Sequence, residues 1–282
     1  MKEVLKDWMQ GQQQNMDQII KDAAKDYYLK NHNFPNFIHD NNRSIKEALN
    51  LSSGNDLYYD RPSTGFIYSL WYQGRRINML LQYLLDLLYE NKDRTKLEVF
   101  DLGAGTGAVQ LCFGLILKAF EVHQISAPAV KLVNIDTSAI MLEYSAEYLW
   151  PAFVNKFGEI NSLLPSYSVN SWVNSDDLQI STPWIIASYL FDSSDDGETL
   201  LQDFKNLMKA IHAEKILLVS SNQPAKKAFL DMVSAGLKEL DFTVENVIKD
   251  PFFSGLMYET KSVRDWIKEK ARIEFVGDPS WN

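Results

Sequence analysis

The most chemically informative residues of this chain form one short run, an acid followed by alternating glycines. Asp101 is followed by Gly103, Gly105 and Gly107. The residues just before Asp101 (97–100) predict a short buried strand, and the apolar stretch after Gly107 predicts a helix. Glycine permits a tight turn and lets a ligand approach the backbone, and the first amides of a helix face such a ligand unpaired. A strand, a turn and a helix in this order form the first half of a βαβ unit.

Two classes of ligand use such a turn, and the acid favours one of them. Dinucleotide-binding enzymes use the pattern GxGxxG/A, which Gly103, Gly105 and Ala108 satisfy formally. A carboxylate at the strand tip repels a pyrophosphate but can hold an ammonium group, directly or through water. The run Asp101-Leu102-Gly103-Ala104-Gly105-Thr106-Gly107 resembles the first motif of class I S-adenosylmethionine-dependent methyltransferases. A dinucleotide site and a structural turn without a ligand are the alternatives.

The resemblance implies that S-adenosylmethionine is the cofactor, and it implies which residues surround it. Asp101 is expected at the methionine end of the cofactor, and an acid at the tip of the second strand is expected at the ribose hydroxyls. Tyr189, at the tip of the predicted fourth strand, is the candidate catalytic residue on the substrate side. No metal is implied. The residues expected to bind the cofactor are Asp101, Gly103, Ala104, Gly105, Gly107, Asp136, Thr137, Tyr189 and Arg61.

Two of these assignments have plain structural alternatives. Asp136 ends a predicted strand and matches the ribose-binding acid in the order of elements, but it could instead only cap the following helix. Its separation from Gly103 is longer than the usual spacing, and a long loop after the first helix accounts for the excess. Arg61 closes the run Tyr58-Tyr59-Asp60-Arg61. This run is either a lid, with Arg61 at the cofactor carboxylate, or a packing segment.

Composition limits the possible functions. The chain has 282 residues, of which 46% are hydrophobic, so a sizeable core is expected and global disorder is not. A net charge of −9 disfavours a broad nucleic-acid interface, although a local basic groove stays open. Cys112 is the only cysteine, so no intrachain disulfide forms, and a small core residue is expected there. No stretch is apolar enough to span a membrane and the N-terminus does not resemble a secretory signal, so a cytoplasmic location is expected.

The order of the predicted elements gives the fold class. From residue 97 onward strands and helices alternate, which predicts an α/β fold with a doubly wound, seven-stranded, mostly parallel sheet of the Rossmann-like methyltransferase type. Residues 1–92 show helical spacing without a strand signal, so we divide the chain into a helical N-terminal cap (1–92) and an α/β domain (93–282). The strands are expected at residues 97–100, 131–136, 167–173, 184–192, 214–221 and 242–248, with a seventh at 255–258 or 273–276.

Local signals in the N-terminal part predict the helix boundaries there. Ser44, with Glu47 three residues later, predicts a helix N-cap, so the Asn-rich stretch before it is expected to be a loop. A long apolar helix is expected just before the first strand, and Gly74 can bend or break it. The pair Arg75-Arg76 on this helix favours a solvated face over a phosphate site.

The expected function is methyl transfer from S-adenosylmethionine to a protein or small-molecule nucleophile. An RNA methyltransferase, a catalytically silent partner subunit with the same fold and a nicotinamide oxidoreductase are the alternatives. A membrane partner is not expected, and nucleic acid is disfavoured. A fainter likeness, to mitochondrial ribosome-associated methyltransferases, rests on the Tyr…Arg-Pro helix start and the Ala-Ser-Tyr strand tip. This chain lacks the cysteines of that group, so the role of that group is not carried over.

Overall fold

A parallel β-sheet with helices on both faces forms the centre of the protein. The computed structural model describes residues 1–50, 57–170, 183–188, 190, 197–219, 224–240, 242–243 and 250–254. The strands are β1 (Lys96–Leu102), β2 (Ala129–Asp136), β3 (Leu163–Val169), β4 (Trp184–Ser188) and β5 (Lys215–Val219). Their order in the sheet is β3-β2-β1-β4-β5, and every pair is parallel. The chain therefore builds the sheet outward from β1 in one direction and then in the other, and the order reverses between β1 and β4.

The helices precede the sheet or connect its strands. They are α1 (Lys2–Gln10), α2 (Gln13–Asn31), α3 (Phe37–Asn50), α4 (Thr64–Tyr68), α5 (Gly74–Glu90), α6 (Ala108–Val122), α7 (Ala139–Tyr144), α8 (Trp150–Phe157), α9 (Gly197–Ala210) and α10 (Pro224–Lys238). A first π turn, Ser69–Gln73, joins α4 to α5 without a break, and a second, Ser145–Leu149, joins α7 to α8. The long helix expected before β1 is confirmed, and its irregularity lies in the π turn just before Gly74.

Strand residues alternate between two hydrophobic clusters on opposite faces of the sheet. Val99 and Ile186 pack with the N-terminal helices and α6, whereas Phe100 and Ile185 pack with α9 and α10. Because both faces are covered, the strands are apolar at successive positions, which is the pattern of a buried parallel sheet. The first cluster includes residues of α1, α2 and α5, so the N-terminal helices share a core with the sheet. The division into domains 1–92 and 93–282 stays a prediction.

The predicted α/β class is confirmed, and one strand is displaced from its predicted position. The strands at β1, β2, β4 and β5 lie where the sequence predicts them, with shifted ends. The strand predicted at 167–173 is β3, which begins earlier, at Leu163, and includes Pro165. Proline favours a loop in a sequence, but β3 has one neighbour among the described strands, and an edge strand tolerates a residue without an N–H.

The full count of predicted strands exceeds what the structure describes. Five strands are described, and residues 242–243 at the start of the predicted sixth strand are not in strand conformation. The rest of that strand and both candidate positions for the seventh lie outside the described residues. The seven-stranded sheet therefore stays a prediction.

The N-cap predicted at Ser44 is wrong, because α3 begins at Phe37. The ring of Phe37 lies 6.3 Å from the Tyr27 ring and 5.7 Å from the Tyr28 ring, so aromatic packing anchors the first turn of α3 on α2. Ser44 is buried within α3, and its hydroxyl forms a hydrogen bond of 2.8 Å with the Ser63 hydroxyl. The polar residue that resembles a cap instead joins α3 to the start of α4.

The helix α6 is apolar around most of its circumference and is buried on nearly every side. Cys112 lies within it at zero exposure, which confirms the expectation of a small core residue. Within the part of the chain that the structure describes, no helix combines the length and hydropathy needed to cross a bilayer.

A buried ion pair fixes the segment before α4 against α3. The residue Arg61 is 6% exposed, and its two terminal nitrogens donate to both Glu47 carboxylate oxygens at 2.7 and 2.8 Å. The guanidinium also lies over the Tyr58 ring, 5.5 Å from its centroid. Burial alone raises the pKa of Glu47, but hydrogen bonds from Arg61 and the Tyr58 amide outweigh it, so the pKa is lowered.

We expect Glu47→Gln to lower the free energy of unfolding by about 2–3 kcal/mol at pH 7, because it removes the charge that compensates buried Arg61. A carboxyl whose pKa is lowered by folding stabilises the fold at every pH above its ordinary pKa. This contribution is lost as the pH falls through the lowered pKa. The difference between the two proteins should therefore shrink below about pH 4. Urea unfolding measures it. Asp93→Asn, in an exposed pair with Lys92, is the control and should change nothing measurable; equal losses in both variants would contradict the account.

Candidate functional site

A small cavity opens at the carboxyl edge of the sheet, where the strand order reverses. The end of β1 contributes Asp101, Gly103 and Gly105 to its lining, and the end of β4 contributes Ser188. Tyr68, Gln73 and Arg76, from the helical segment before β1, also line it. Ligands of open α/β sheets bind at such a reversal point. The cavity measures about 30 Å³, which is room for a group the size of one or two water molecules.

The turn after β1 has the backbone conformation that its glycines permit. The φ angles are +68° at Gly103, +54° at Gly105 and +80° at Gly107, all in the left-handed region. A Cβ atom at Gly103 would lie 2.9 Å from the Leu190 side chain, and one at Gly107 would overlap the Ser145 hydroxyl. A Cβ atom at Gly105 would meet nothing within 3.5 Å, its nearest neighbour being 3.6 Å away. All three glycines are thus favoured by the left-handed backbone, and a side chain at Gly103 or Gly107 would also have to displace the Leu190 or the Ser145 side chain.

Asp101 lies in the cavity wall with a carboxyl group that is almost completely buried. The residue is 1% exposed, and neither carboxyl oxygen has a hydrogen-bond partner among the described residues. Burial raises the pKa of Asp101 well above its ordinary value, and the nearby Asp136 carboxylate raises it further. A buried carboxylate without a partner is costly. The side chain therefore favours either a bound proton or a cation placed in the cavity.

Asp136, at the end of β2, ties the glycine turn to the neighbouring strand. Its carboxylate accepts hydrogen bonds from the Gly105 amide at 2.8 Å and from the Ser138 amide at 2.9 Å. Burial raises the pKa of Asp136, while hydrogen bonds from the amides of Ser138, Gly105 and Thr137 lower it in part. The cap of the following helix is supplied by Ser138, whose hydroxyl accepts from the Met141 amide. Carboxylate oxygens can accept more than one hydrogen bond each, so Asp136 retains acceptor capacity.

The structure brings some of the predicted site residues together and places others apart. Ala104 also lines the cavity, and its amide donates to the Ile135 carbonyl of β2 at 3.0 Å. Thr137 is exposed beside Asp136. Arg61 does not line the cavity and is engaged with Glu47, so its role at a cofactor stays a prediction. Tyr189 lies outside the described residues.

The predicted lid segment passes close to the end of β2. The Ser138 hydroxyl donates to the Tyr59 backbone carbonyl at 2.9 Å, and the Asp60 carboxylate contributes to raising the pKa of Asp136. The Tyr59 ring packs edge-on against the Tyr68 ring, with centroids 6.4 Å apart. The segment therefore lies over the edge of the sheet where Asp136 ends β2. Its position is compatible with a lid and equally with packing.

Both π turns contact the glycine turn, and no sequence pattern predicted either of them. Gln73, in the first π turn, accepts from the Thr106 hydroxyl at 2.6 Å and donates to the Thr106 carbonyl at 3.2 Å, and both residues are buried. Ser145, in the second π turn, packs against Gly107. Single π turns inside helices are frequent at functional sites. The sequence feature that could have indicated this contact is Gln73 itself, a polar residue within an apolar stretch of the long helix.

The side chains of Arg75 and Arg76 lie on different faces of α5. Arg75 is exposed, as expected, but Arg76 is partly buried and lines the cavity. The Arg76 Nε atom donates to the Tyr68 hydroxyl at 3.3 Å, and the guanidinium carbon lies 5.8 Å from the centroid of the Tyr72 ring. Tyr68, Tyr72 and Arg76 are spaced four residues apart, and this spacing indicates that their side chains share one face of a helix.

We expect Asp101→Asn to stabilise the ligand-free protein near pH 8. A carboxyl whose pKa is raised by folding contributes to stability at pH values below its ordinary pKa of about 4. That contribution is lost as the pH rises through the raised pKa. The asparagine variant lacks this loss, so its melting temperature should exceed that of the wild type at pH 8 and the gap should close toward pH 4. Asp136→Asn is the contrasting variant. It also removes a carboxyl with a raised pKa, but it leaves one of the Gly105 and Ser138 amides without a carboxylate acceptor, so it should gain less than Asp101→Asn at pH 8. An Asp101→Asn protein less stable than wild type at pH 8 would contradict the account.

We expect Gln73→Leu and Thr106→Val each to lower the free energy of unfolding by about 1–3 kcal/mol, because each leaves a buried polar partner unpaired. The double variant should lose less than the sum of the two, by about 1 kcal/mol or more, because both members of the side-chain hydrogen bond are then removed together. The Thr106 carbonyl loses its donor equally in Gln73→Leu and in the double variant. Urea unfolding of the four proteins measures this coupling. Strictly additive losses would show that the two side chains do not interact.

No protein-family model matches the chain, and no curated protein sequence matches it. A function for this chain must therefore be inferred from the geometry of the cavity. That geometry comprises a buried acid, a left-handed glycine turn and a cationic side chain, all on a small cavity at the reversal point of a parallel sheet.

Proposed function

We propose that this chain is an S-adenosylmethionine-dependent methyltransferase that acts on a protein or small-molecule nucleophile. The observation that carries the proposal is the Asp101 carboxyl, buried in the cavity wall beside the glycine turn with both oxygens unpartnered in the described structure. The methionine end of S-adenosylmethionine carries an ammonium group, which supplies the missing opposite charge and hydrogen bonds. The cavity has the size of such a group.

The same carboxyl disfavours the dinucleotide alternative. Gly103 and Gly105 line the cavity together with Asp101, so an anion held by this turn would face a carboxylate. Asp136, which also carries a carboxyl, accepts a hydrogen bond from the Gly105 amide and occupies a donor that a phosphate would need. Repulsion between like charges in a buried setting weakens binding of a pyrophosphate. A cationic ligand is not repelled by the Asp101 carboxylate and does not need the Gly105 amide as a donor.

The other residues of the site fit an adenosyl ligand by position. Asp136, at the tip of the strand next to β1, has acceptor capacity for ribose hydroxyls, and Thr137 follows it. Bound S-adenosylmethionine supplies a methyl group on a positively charged sulfur. The contribution of the protein is to fix the cofactor end on Asp101, to align the acceptor and to exclude water. Tyr189, next to the cavity-lining Ser188, is proposed on the acceptor side.

The acceptor is proposed to be a protein or small molecule on grounds of charge. The net charge of −9 disfavours an extended polyanion such as RNA. The helices α1 to α5 share the core on one face of the sheet, and the segment before α4 lies near Asp136, so the N-terminal part is placed to shape access to the cavity. We propose a cytoplasmic location, in keeping with this assignment.

We expect titration calorimetry to show binding of S-adenosylmethionine and S-adenosylhomocysteine, and no binding of NAD. Asp136→Ala should weaken the binding of both adenosyl ligands by about tenfold or more, because it removes hydrogen bonds to the ribose and loosens the glycine turn. Glu121→Ala is the matched control, since this acid lies at the exposed end of α6 and should leave affinity unchanged. Unchanged affinity in Asp136→Ala would remove Asp136 from the site, and binding of NAD alone would overturn the proposal.

We expect Gly105→Val to abolish binding of S-adenosylmethionine, because a β-branched residue cannot hold φ near +54° without strain. The melting temperature separates loss of the site from loss of the fold. Retained binding would show that the turn tolerates a side chain and is not shaped for the ligand. Wild-type binding without methyl transfer to a broad panel of acceptors would favour a catalytically silent partner subunit.

A further inference from the structure

A row of three polar side chains crosses the sheet on the face that α6 covers. In the parallel register, Asp101 of β1 is paired with Asn134 of β2, and Asn134 is paired with Tyr167 of β3. Paired residues on neighbouring strands point to the same face and lie about 5 Å apart. The preceding pair on this face, Val99 and Leu132, belongs to the hydrophobic cluster that includes α6. The row is therefore a polar layer within an apolar core.

The Asn134 side chain is buried, and its hydrogen bonds fix the orientation of its amide. The Nδ2 atom donates to the Ser166 backbone carbonyl at 3.1 Å and to Gln110 Oε1 at 3.0 Å. Only the nitrogen can donate to a backbone carbonyl, so the opposite orientation would place Oδ1 against an acceptor. Gln110 is held in turn by the Tyr167 hydroxyl, which accepts from its Nε2 at 3.0 Å. The Oδ1 atom of Asn134 is left without a donor among the described residues.

Asp101 and Asn134 place three buried acceptor oxygens at neighbouring positions, and no described group donates to any of them. Buried acceptors without donors cost free energy, and an ionised carboxylate beside a carbonyl oxygen costs more. One proton on Asp101 supplies the donor that both side chains lack. We propose that Asn134 is a positioning residue for Asp101: in the ligand-free protein the Asp101 carboxyl carries a proton, and its O–H donates to Asn134 Oδ1.

The titratable groups around Asp101 come from three neighbouring elements. Burial, and after it the Asp136 carboxylate at the end of β2, raise the pKa of Asp101 well above its ordinary value. Burial and the charge of Asp101 raise the pKa of the Cys112 thiol on α6, so this group stays neutral. Tyr68 and Arg76, from the helical segment before β1, line the same cavity as Asp101. The Arg76 cation opposes protonation of Asp101, but burial and Asp136 outweigh it, in agreement with a carboxyl that carries a proton.

The consequence for a ligand rests on the proposed function, whereas the hydrogen bond itself does not. An ammonium group that enters the cavity needs Asp101 in its ionised form, so the proton must leave to the buffer as the ligand binds. Because Asn134 stabilises the protonated carboxyl, it opposes binding at low pH and permits binding as the pH rises. The buried amide thus sets the pH range in which the cavity takes up a cation.

Infrared spectroscopy of the ligand-free protein at about pH 7 tests the inference. A protonated carboxyl has a C=O stretching band that a carboxylate lacks, and this band lies at lower frequency when the O–H donates a hydrogen bond. The wild-type spectrum minus that of Asp101→Asn should show the band at the lower frequency. In Asn134→Leu the band should move to the higher frequency of a free carboxyl or disappear, because the protonated form has lost its acceptor. Tyr167→Phe is the control and should keep the wild-type band, since both acceptors of Asn134 Nδ2 remain.

Absence of the Asp101 band from the wild type, or a band at the frequency of a free carboxyl, would overturn the inference, and neither result requires Asn134→Leu to fold. An unchanged band in Asn134→Leu, or the same change in Tyr167→Phe, would overturn it as well. The measurement contains no ligand, so it is independent of the proposed function. A protein that shows the expected bands but does not bind S-adenosylmethionine would overturn the proposed function alone.

Discussion

Burial of the Asp101 carboxyl without a protein partner is the constraint on which the site depends. A carboxyl in this position costs free energy when it ionises, and the protein contains no described group that offsets the cost. The residue ends a central strand covered on both faces, so it cannot turn to solvent. Such an arrangement is typical of a functional residue, because a purely structural position would be filled at lower cost by an apolar side chain.

The glycine turn beside Asp101 is held from several directions at once. Asp136 accepts from the Gly105 amide, Gln73 bonds with Thr106, and Ser145 packs against Gly107. These contacts come from β2 and from two π turns that lie in different parts of the chain. These contacts hold the backbone of the turn in the left-handed region. It can therefore present a fixed surface to the ligand.

The sequence predicted the central βα unit correctly because its signals are local. A buried run, an acid and alternating glycines specify strand, turn and helix through backbone conformation alone. Four of the five described strands were predicted near their positions for the same reason. The Ser44 cap was wrong because aromatic packing of Phe37 on α2 extends α3 backwards, and tertiary contacts of this kind have no local signature.

The parts of the site that the sequence did not predict depend on helical phase. Arg75 and Arg76 are neighbours in sequence and share a charge, yet the helix directs one to solvent and the other to the cavity. The π turn before them changes which side of the helix each later residue faces, and no sequence motif predicts a π turn. Gln73 was missed for the same reason, although a polar residue in an apolar stretch marks a buried hydrogen bond in this fold.

Proton release on binding tests the central claim most directly, because Asp101 must exchange a proton for the ammonium group of the ligand. Burial raises the pKa of Asp101 well above its ordinary value. Calorimetry with S-adenosylmethionine at a series of pH values, from about 5 to about 8, in buffers of different ionisation enthalpy measures the protons released. The account predicts release in the wild type and its loss in Asp101→Asn. Binding with no proton release, or with the same release in both proteins, would contradict it.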